Sequence, residues 1–282
     1  MVGPAQLRKA AYHLKNKFNR SERSVCRAIG LARSSCRYVS VKAPDDELKA
    51  KMRDIAQKYR RYGYRRIYVL IRREGLKVNH KRIYRIYREE GLKVERRKKK
   101  KMAAFLRMAS PIPSGPNQRW SIDFVSDQFV NGKRLKILTV VDDFTKECPL
   151  IHVDTSITGI KLAELFKELG KRRPLPNTIV CDNGPEFISR DFDAWAYHRG
   201  ITLDHIRPGK PVENCFIESF NGKFREECLE ENIFSGIEYA KMIIESWRKH
   251  YNRFRPHSSL GNKTPTEFME TLRGTTKTLL VQ

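Results

Sequence analysis

Five short β-prone segments lie between residues 119 and 205, and their order limits the available folds more than any other feature of the chain. Residues 119–126, 134–142 and 147–153 follow one another closely, the first two joined around Asn131-Gly132, a pair suited to a tight hairpin. Strands and helices then alternate. Thr158 is placed to cap a helix to about Leu169, 177–181 is an apolar strand, 189–199 a helix and 201–205 a further strand. Helices near 212–230 and 236–251 complete the unit. A three-strand meander feeding into strand–helix alternation predicts an α/β fold, a mixed five-stranded sheet flanked by helices.

The N-terminal third has a different texture. Residues 5–38 read as helices: Ser21 caps 22–29, Gly30 stops it, and a second short helix begins at Leu31 and carries Arg33 and Arg37. Helix, glycine turn and basic helix match a helix-turn-helix, and match an ordinary pair of small-domain helices equally. Beyond a turn at Pro44, further helices span about 46–60, run from Tyr62-Gly-Tyr-Arg-Arg-Ile67 to about Arg73, and extend from an Asn79 cap to about Glu90. On the last, Arg82, Arg85 and Arg88 interleave with Ile83, Tyr84, Ile86 and Tyr87, so one face packs while the other meets phosphate. The tyrosines serve as core or as base-stacking platforms. Six consecutive cations, residues 96–101, form a solvated linker or a track for a nucleic-acid backbone, and Pro111-Ile-Pro-Ser-Gly-Pro116 follows. The expected organisation is a helix-turn-helix-like segment 1–40, a basic helical region 41–95, a linker 96–117, a core 118–270 and a tail 271–282.

Charge divides along the same line. Residues 1–110 hold 33 Lys+Arg against 9 Asp+Glu, whereas residues 111–282 hold 24 against 23. The first portion is built to neutralise phosphates, so its binding should weaken steeply with salt. Lipid headgroups or an acidic protein would also supply negative charge; the carboxylates downstream favour nucleic acid. No apolar run approaches the ~18 residues a membrane span needs, and no signal core opens the chain. A cytoplasmic, nucleoid-associated protein is expected. The six cysteines form no metal-binding spacing and read as reduced, mostly buried thiols.

Three acids carry the chemistry. Asp123 alternates with Trp120, Ile122 and Phe124, which turns it away from their face of a strand. Asp182 directly follows an apolar strand and precedes Asn183-Gly184, which also makes it a ready Asx-turn residue. Around Glu218 a helical wheel gathers Phe216, Ile217, Phe220, Phe224 and Cys228 on one side, and Glu218, Asn221, Gly222 and Arg225 on the other. Taken singly, each acid equally suits a surface or structural role. Together they are the hard oxygen ligands of Mg²⁺ or Mn²⁺, with room left for water and substrate phosphates. A pair of such ions about 3.5–4 Å apart drives in-line displacement at phosphorus. No histidine is required as general base, and His152, His198 and His205 stay unassigned.

Ile206-Arg-Pro-Gly-Lys-Pro211, Phe216-Ile-Glu-Ser-Phe-Asn-Gly222, Tyr251-Asn-Arg-Phe-Arg-Pro-His257 and Thr264-Pro265 closely resemble bacterial transposases of the insertion-sequence-three family, whose core is similar to retroviral integrases. Tyr62-Gly-Tyr-Arg-Arg-Ile67 and Val78-Asn-His-Lys-Arg-Ile83 extend the resemblance toward the N-terminus. The resemblance implies a ribonuclease-H-like fold and makes Asp123, Asp182 and Glu218 the metal-binding acids. It implies that Arg225 contacts DNA near the cut, with Asn183, Asn221 and Lys223 positioning a strand. Arg33, Arg37, Arg65, Arg66, Arg82 and Arg85 are the N-terminal candidates for DNA contact. It further implies hydrolysis at element ends followed by strand transfer from the freed 3′-hydroxyl, on double-stranded DNA, by an oligomer, with the product of an upstream reading frame as a possible partner. A non-catalytic occupant of element ends and a hydrolysis-only nuclease are the alternatives.

Overall fold

Side-chain caps mark where several helices begin in the computed structural model, which describes residues 3–39, 45–94, 113–206 and 214–279. The basic run 96–101, residues 111–112 and the phrase 207–211 lie outside the described residues. The chain forms two compact units, Met1–Ala50 and Lys51–Gln282.

In the first unit, α1 (Pro4–Phe18), α2 (Glu22–Ala28) and α3 (Arg33–Arg37) surround a small core of Ala11, Val25 and Leu31. Ser21 caps α2 by accepting the Ser24 amide at 3.3 Å. Gly30, at φ +67°, ends that turn in the left-handed region, where glycine meets no Cβ penalty. The following helix starts at Arg33 rather than Leu31, because Leu31 turns inward and its amide closes back on the Cys26 carbonyl.

Next come α4 (Asp46–Lys58), α5 (Tyr64–Arg73) and α6 (His80–Glu89), the last capped by the Asn79 side chain. Ile67 and Ile71 of α5 and Ile83, Ile86 and Tyr87 of α6 are buried, one turn apart as an amphipathic pair requires. The sheet follows: β1 (Arg119–Gln128), β2 (Arg134–Asp142), β3 (Leu150–Asp154), β4 (Thr178–Cys181) and β5 (Thr202–His205). Its order is β3-β2-β1-β4-β5, antiparallel among the first three and parallel across β1, β4 and β5. This mixed sheet is the ribonuclease-H-like arrangement that the resemblance implies.

Strand alternation sends side chains to two cores. Trp120, Ile122, Leu138, Val140 and Ile179 meet α7 (Gly159–Gly170) and α8 (Arg190–His198). Val125, Ile137, Val141, Ile151 and Val153 meet α9 (Cys215–Phe224) and α10 (Ile237–Arg253) on the opposite face.

Two departures from the expected elements have local causes. The helix expected over 212–230 is α-helical only to Phe224 and continues as a π-helical turn, Arg225–Leu229. The tail expected from 271 belongs instead to α11 (Pro265–Leu279). There Thr264 and Glu267 cap each other reciprocally, at 2.7 and 3.1 Å, and Pro265 occupies the first turn, a start signal legible in Thr264-Pro-Thr-Glu267.

Candidate active site

The geometry begins with the parallel pair. Ser121 of β1 lies opposite Val180 of β4, and the same offset carried two residues further sets Asp123 beside Asp182, just past the end of β4. A strand period of two keeps Asp123 on the face of Ser121, away from the Trp120–Ile122 core. Asp123 Oδ1 accepts the Phe124 amide at 2.7 Å and Oδ2 accepts Asn221 Nδ2 at 2.8 Å. Burial pushes its carboxyl up to about 6, reinforced by the negative charges of Asp182 and Glu218 and opposed by those two hydrogen bonds.

Asn221 departs from the helical wheel. It is 7% exposed, on the packed side of α9 rather than beside Glu218 at the surface. Thr139, paired with Asp123 across β1 and β2, is fully buried; its Oγ1 lies 2.9 Å from Asn221 Oδ1 and 3.1 Å from the Asp123 carbonyl, so its one proton serves either. A wheel registers amphipathic faces and is blind to a buried amide that finds polar partners in the sheet. Phe216 departs in the other direction: it is only partly buried, with Lys146 Nζ 3.8 Å and the Arg119 guanidinium 5.4 Å from its ring centroid.

Asp182 also makes the Asx turn that its neighbours suggested, Oδ1 accepting the Gly184 amide at 2.9 Å. Gly184 leaves room for this turn: a Cβ there would stand 3.0 Å from Asp182 Oδ1 and press on that carboxylate. Asn183 spends its amide on the Ile206 carbonyl at 2.9 Å, tying the turn to the end of β5. His205, unassigned from sequence, stands beside this turn with Nδ1 3.4 Å from the Asp182 carbonyl. Beyond the turn, Glu186 pairs with Lys136 of β2, and Phe187 stacks on Phe124 at 4.7 Å.

Glu218 lies exposed on α9, and partial burial raises its carboxyl above the ordinary range. α9 is regular through Phe224, so Arg225, also exposed, keeps its two-turn relation to Glu218. Lys223 is partly buried on another face, donating to Ser219 Oγ at 3.2 Å; burial and then the Arg255 charge push it down to about 8. Among the described residues, no three His, Cys, Asp or Glu side chains stand close enough together to hold one metal ion. The three acids share a field without forming a closed cage.

Most of the N-terminal candidates have partners within their own segment, and Arg66 has a distant one. Arg33 and Arg37 both donate to Glu22 Oε1, at 3.3 and 2.8 Å. Arg65 donates to the Tyr64 hydroxyl at 3.2 Å and Arg85 to Glu89 at 3.1 Å, while Arg82 is partly buried on α6. Arg66 donates to Glu227 at 3.1 Å. Sequence reasoning missed Thr139 and the bracing role of Asn221; the available signal was a lone threonine in the apolar run 137–141.

Residues 113–211 and 199–265 match the integrase core domain family in two overlapping stretches, and residues 43–100 match an HTH-like domain. An uncharacterized insertion element IS407 protein of Burkholderia multivorans is 47% identical over 93% of this chain and 95% of its own length. An insertion element IS476 protein of Xanthomonas euvesicatoria is 44% identical, covering 96% of this chain and 79% of its own length. Among solved structures, the HTLV-2 integrase catalytic core domain in complex with magnesium aligns at 18% identity and a TM-score of 0.42, over 54% of this chain and 96% of that one.

Proposed function

The chain belongs to the insertion-element transposases with an integrase core domain, and from that premise we propose that Asp123, Asp182 and Glu218 are its catalytic acids. The protein is a DNA transposase, with polynucleotidyl transfer as its class of chemistry and DNA as its partner. The observation that supports the site assignment is that Asp123, midway along β1, stands beside Asp182, just past the end of the adjacent parallel strand β4, with the Glu218 charge felt at Asp123.

The donor set fits hard divalent cations. Asp123 is ionised at a cost that burial and two neighbouring acids impose, and a dication relieves such a cost. Asp123, Asp182 and Glu218 would hold Mg²⁺ or Mn²⁺, two ions in the reading we favour. When bound, they supply Lewis-acid polarisation of the scissile phosphate and stabilise charge on the attacking and leaving oxygens. The chain's own residues do the positioning. Asn221 and Thr139 orient Asp123, the Asx turn and Gly184 orient Asp182, and α9 presents Glu218 with Arg225 two turns along, placed to meet a phosphate beside the cut. Water is the first nucleophile at the element end, and the released 3′-hydroxyl is the second.

Residues 1–40, 41–95 and 96–117 are assigned to gripping and tracking DNA, 118–270 to the catalytic core. Two ends must be brought together for transfer, so the working form is an oligomer on DNA, with an upstream-frame product as a candidate partner. Among the described residues no helix is long and apolar enough to cross a membrane; action at the nucleoid in the cytoplasm follows from the DNA substrate.

The test is Asp182→Asn in a nicking and joining assay on the element's own ends with Mg²⁺ or Mn²⁺. Both steps should be lost while DNA binding is retained. Nicking at the native rate would remove the metal-site assignment, and native protein that cuts without joining would favour a hydrolytic nuclease.

A further inference from the structure

Two sequence phrases are not used by the chemistry above, Tyr62-Gly-Tyr-Arg-Arg-Ile67 near the start of the second unit and Tyr251-Asn-Arg-Phe-Arg-Pro-His257 near its end. Both converge on one carboxylate. Arg255 Nε and Nη2 donate to Glu227 Oε2 and Oε1, each at 2.7 Å, and Arg66 Nη1 donates to Oε1 at 3.1 Å. Arg255 is 1% exposed, and the Glu227 side chain 9%. Burial works against charge on Glu227, yet Arg255 and Arg66 hold its carboxyl below the ordinary range.

Aromatic rings enclose the pair. Tyr62 lies 5.0 Å from the Arg66 guanidinium and Tyr251 5.4 Å from that of Arg255, while Tyr59 stacks on both Tyr62 and His250. Neighbouring contacts follow the same seam. Arg61 donates to Glu231 at 2.9 Å and to Glu230 at 3.4 Å; Arg73 donates to Glu267 at 2.7 Å and to the Asn262 carbonyl at 3.1 Å. The α5 helix, on a stretch expected to serve DNA, is thus bound along one side to the core.

Glu227 sits in the π-helical turn that continues α9, nine residues beyond Glu218 on one unbroken helical rod. A π turn is an uncommon, poorly favoured geometry that persists where surrounding contacts hold it. We propose that Glu227 is a positioning residue for Glu218, and that Arg66 docked on it couples the helical segment 51–94 to the active site. Asn221 ties the rod to the sheet, and the Glu227 cluster fixes its far end against rotation and sliding. Glu218, on the exposed face between the helix start and the Asn221 tie, takes its placement from the rod. DNA gripped by the α4–α6 helices then acts on Glu218 through Arg66. The proposal rests on the assignment of Glu218 as a catalytic acid.

The experiment uses the full chain with Arg66→Gln, Arg66→Lys and Glu227→Gln, after thermal unfolding has confirmed that each is folded. Arg66→Gln lies at the more exposed edge of the cluster and keeps the test available if Glu227→Gln fails to fold. Two readouts are combined, nicking kinetics and amide hydrogen exchange of the metal-free protein. For Arg66→Gln the kcat for nicking should fall at least roughly tenfold with KM for DNA within about threefold of native, the pattern of a lost transition-state arrangement. Amides over 215–229 should exchange at least about tenfold faster while those of β1 and β4 stay unchanged. Arg66→Lys should restore most of the rate, since it keeps the positive charge and a donor for Glu227. Native kcat in Arg66→Gln, or a loss confined to DNA affinity, overturns the proposal and returns Arg66 to phosphate contact. If native protein shows no nicking, the catalytic assignment fails separately, and unchanged exchange over 215–229 still overturns the coupling.

Discussion

Two groups of carboxylates in the same core are treated in opposite ways. At the end of β2 and in the π turn, acids are saturated with donors. Asp142 accepts from the Asn117, Phe144 and Thr145 amides and from Trp120 Nε1, at 2.7–3.2 Å. Asp143 takes Arg119 at 2.6 Å and Ser121 at 2.7 Å, and Glu227 takes two arginines. Where β1 passes the end of β4, Asp123 receives, among the described residues, the neutral Phe124 and Asn221 donors and faces two more acids. The carboxyl of Glu227 is held below its ordinary range, while burial pushes those of Asp143 and Asp123 above it. At Asp143 the Arg119 and Lys146 charges oppose the rise, whereas at Asp123 two neighbouring acids add to it. Satisfied acids hold a fold together. Acids assembled without counter-charge are a strain that a fold retains where a ligand relieves it.

That contrast can be broken at several points. Asp182→Asn should reduce nicking and joining by roughly 10³-fold, about 4 kcal/mol of barrier, with little change in melting temperature. A large loss of stability there would place Asp182 with the saturated acids. Asp143→Ala should do the reverse. Removing one partner of a buried pair costs about 3–5 kcal/mol, a fall in Tm of roughly 6–20 °C for a domain of this size, measured by circular dichroism. A change under 2 °C, on the order of half a kcal/mol, would show that Arg119 finds water instead.

Asn221→Ala should slow nicking by about 10–100-fold, as loss of a ligand-orienting partner does. Because the Asn221 hydrogen bond favours the ionised carboxylate, the acid limb of the pH–rate profile should also move upward. Unchanged rate and profile would deny Asn221 its bracing role.

The smallest effect tests the strain itself. The Asp123 carboxyl, at about 6, lies above its ordinary 3.8, so the fold favours its neutral form. The associated stability is fully present below pH 3.8 and lost as pH rises through 6. In metal-free protein at pH 7–8, Asp123→Asn should raise Tm by roughly 2–5 °C, and the gain should vanish near pH 4. Destabilisation at pH 8 would mean that Asp123 is satisfied as a charge.

Much of the architecture was legible because its signals are local. The Ser21, Asn79 and Thr158 caps, the Asn131-Gly132 turn and the apolar alternation of β1 and β2 depend on neighbours a few residues away. The mixed five-stranded sheet followed from a meander leading into strand–helix alternation, and its order, β3-β2-β1-β4-β5, came only with the pairing of the strands. The three acids stood out by residue type and spacing, and their proximity in pairs was left to the fold.

What the sequence determined by itself was the element order, the face of Asp123 and the division between a strongly basic portion and a charge-balanced one. Periodicity and charge are properties of short stretches, and short stretches carry them intact. Only the tertiary structure decided that Asn221 turns inward to Asp123, and that α9 ends in a π turn. It also decided that Arg66 and Arg255, far apart along the chain, close on Glu227. A buried polar group goes where it finds its partners, and those partners come from strands and helices that only packing brings together.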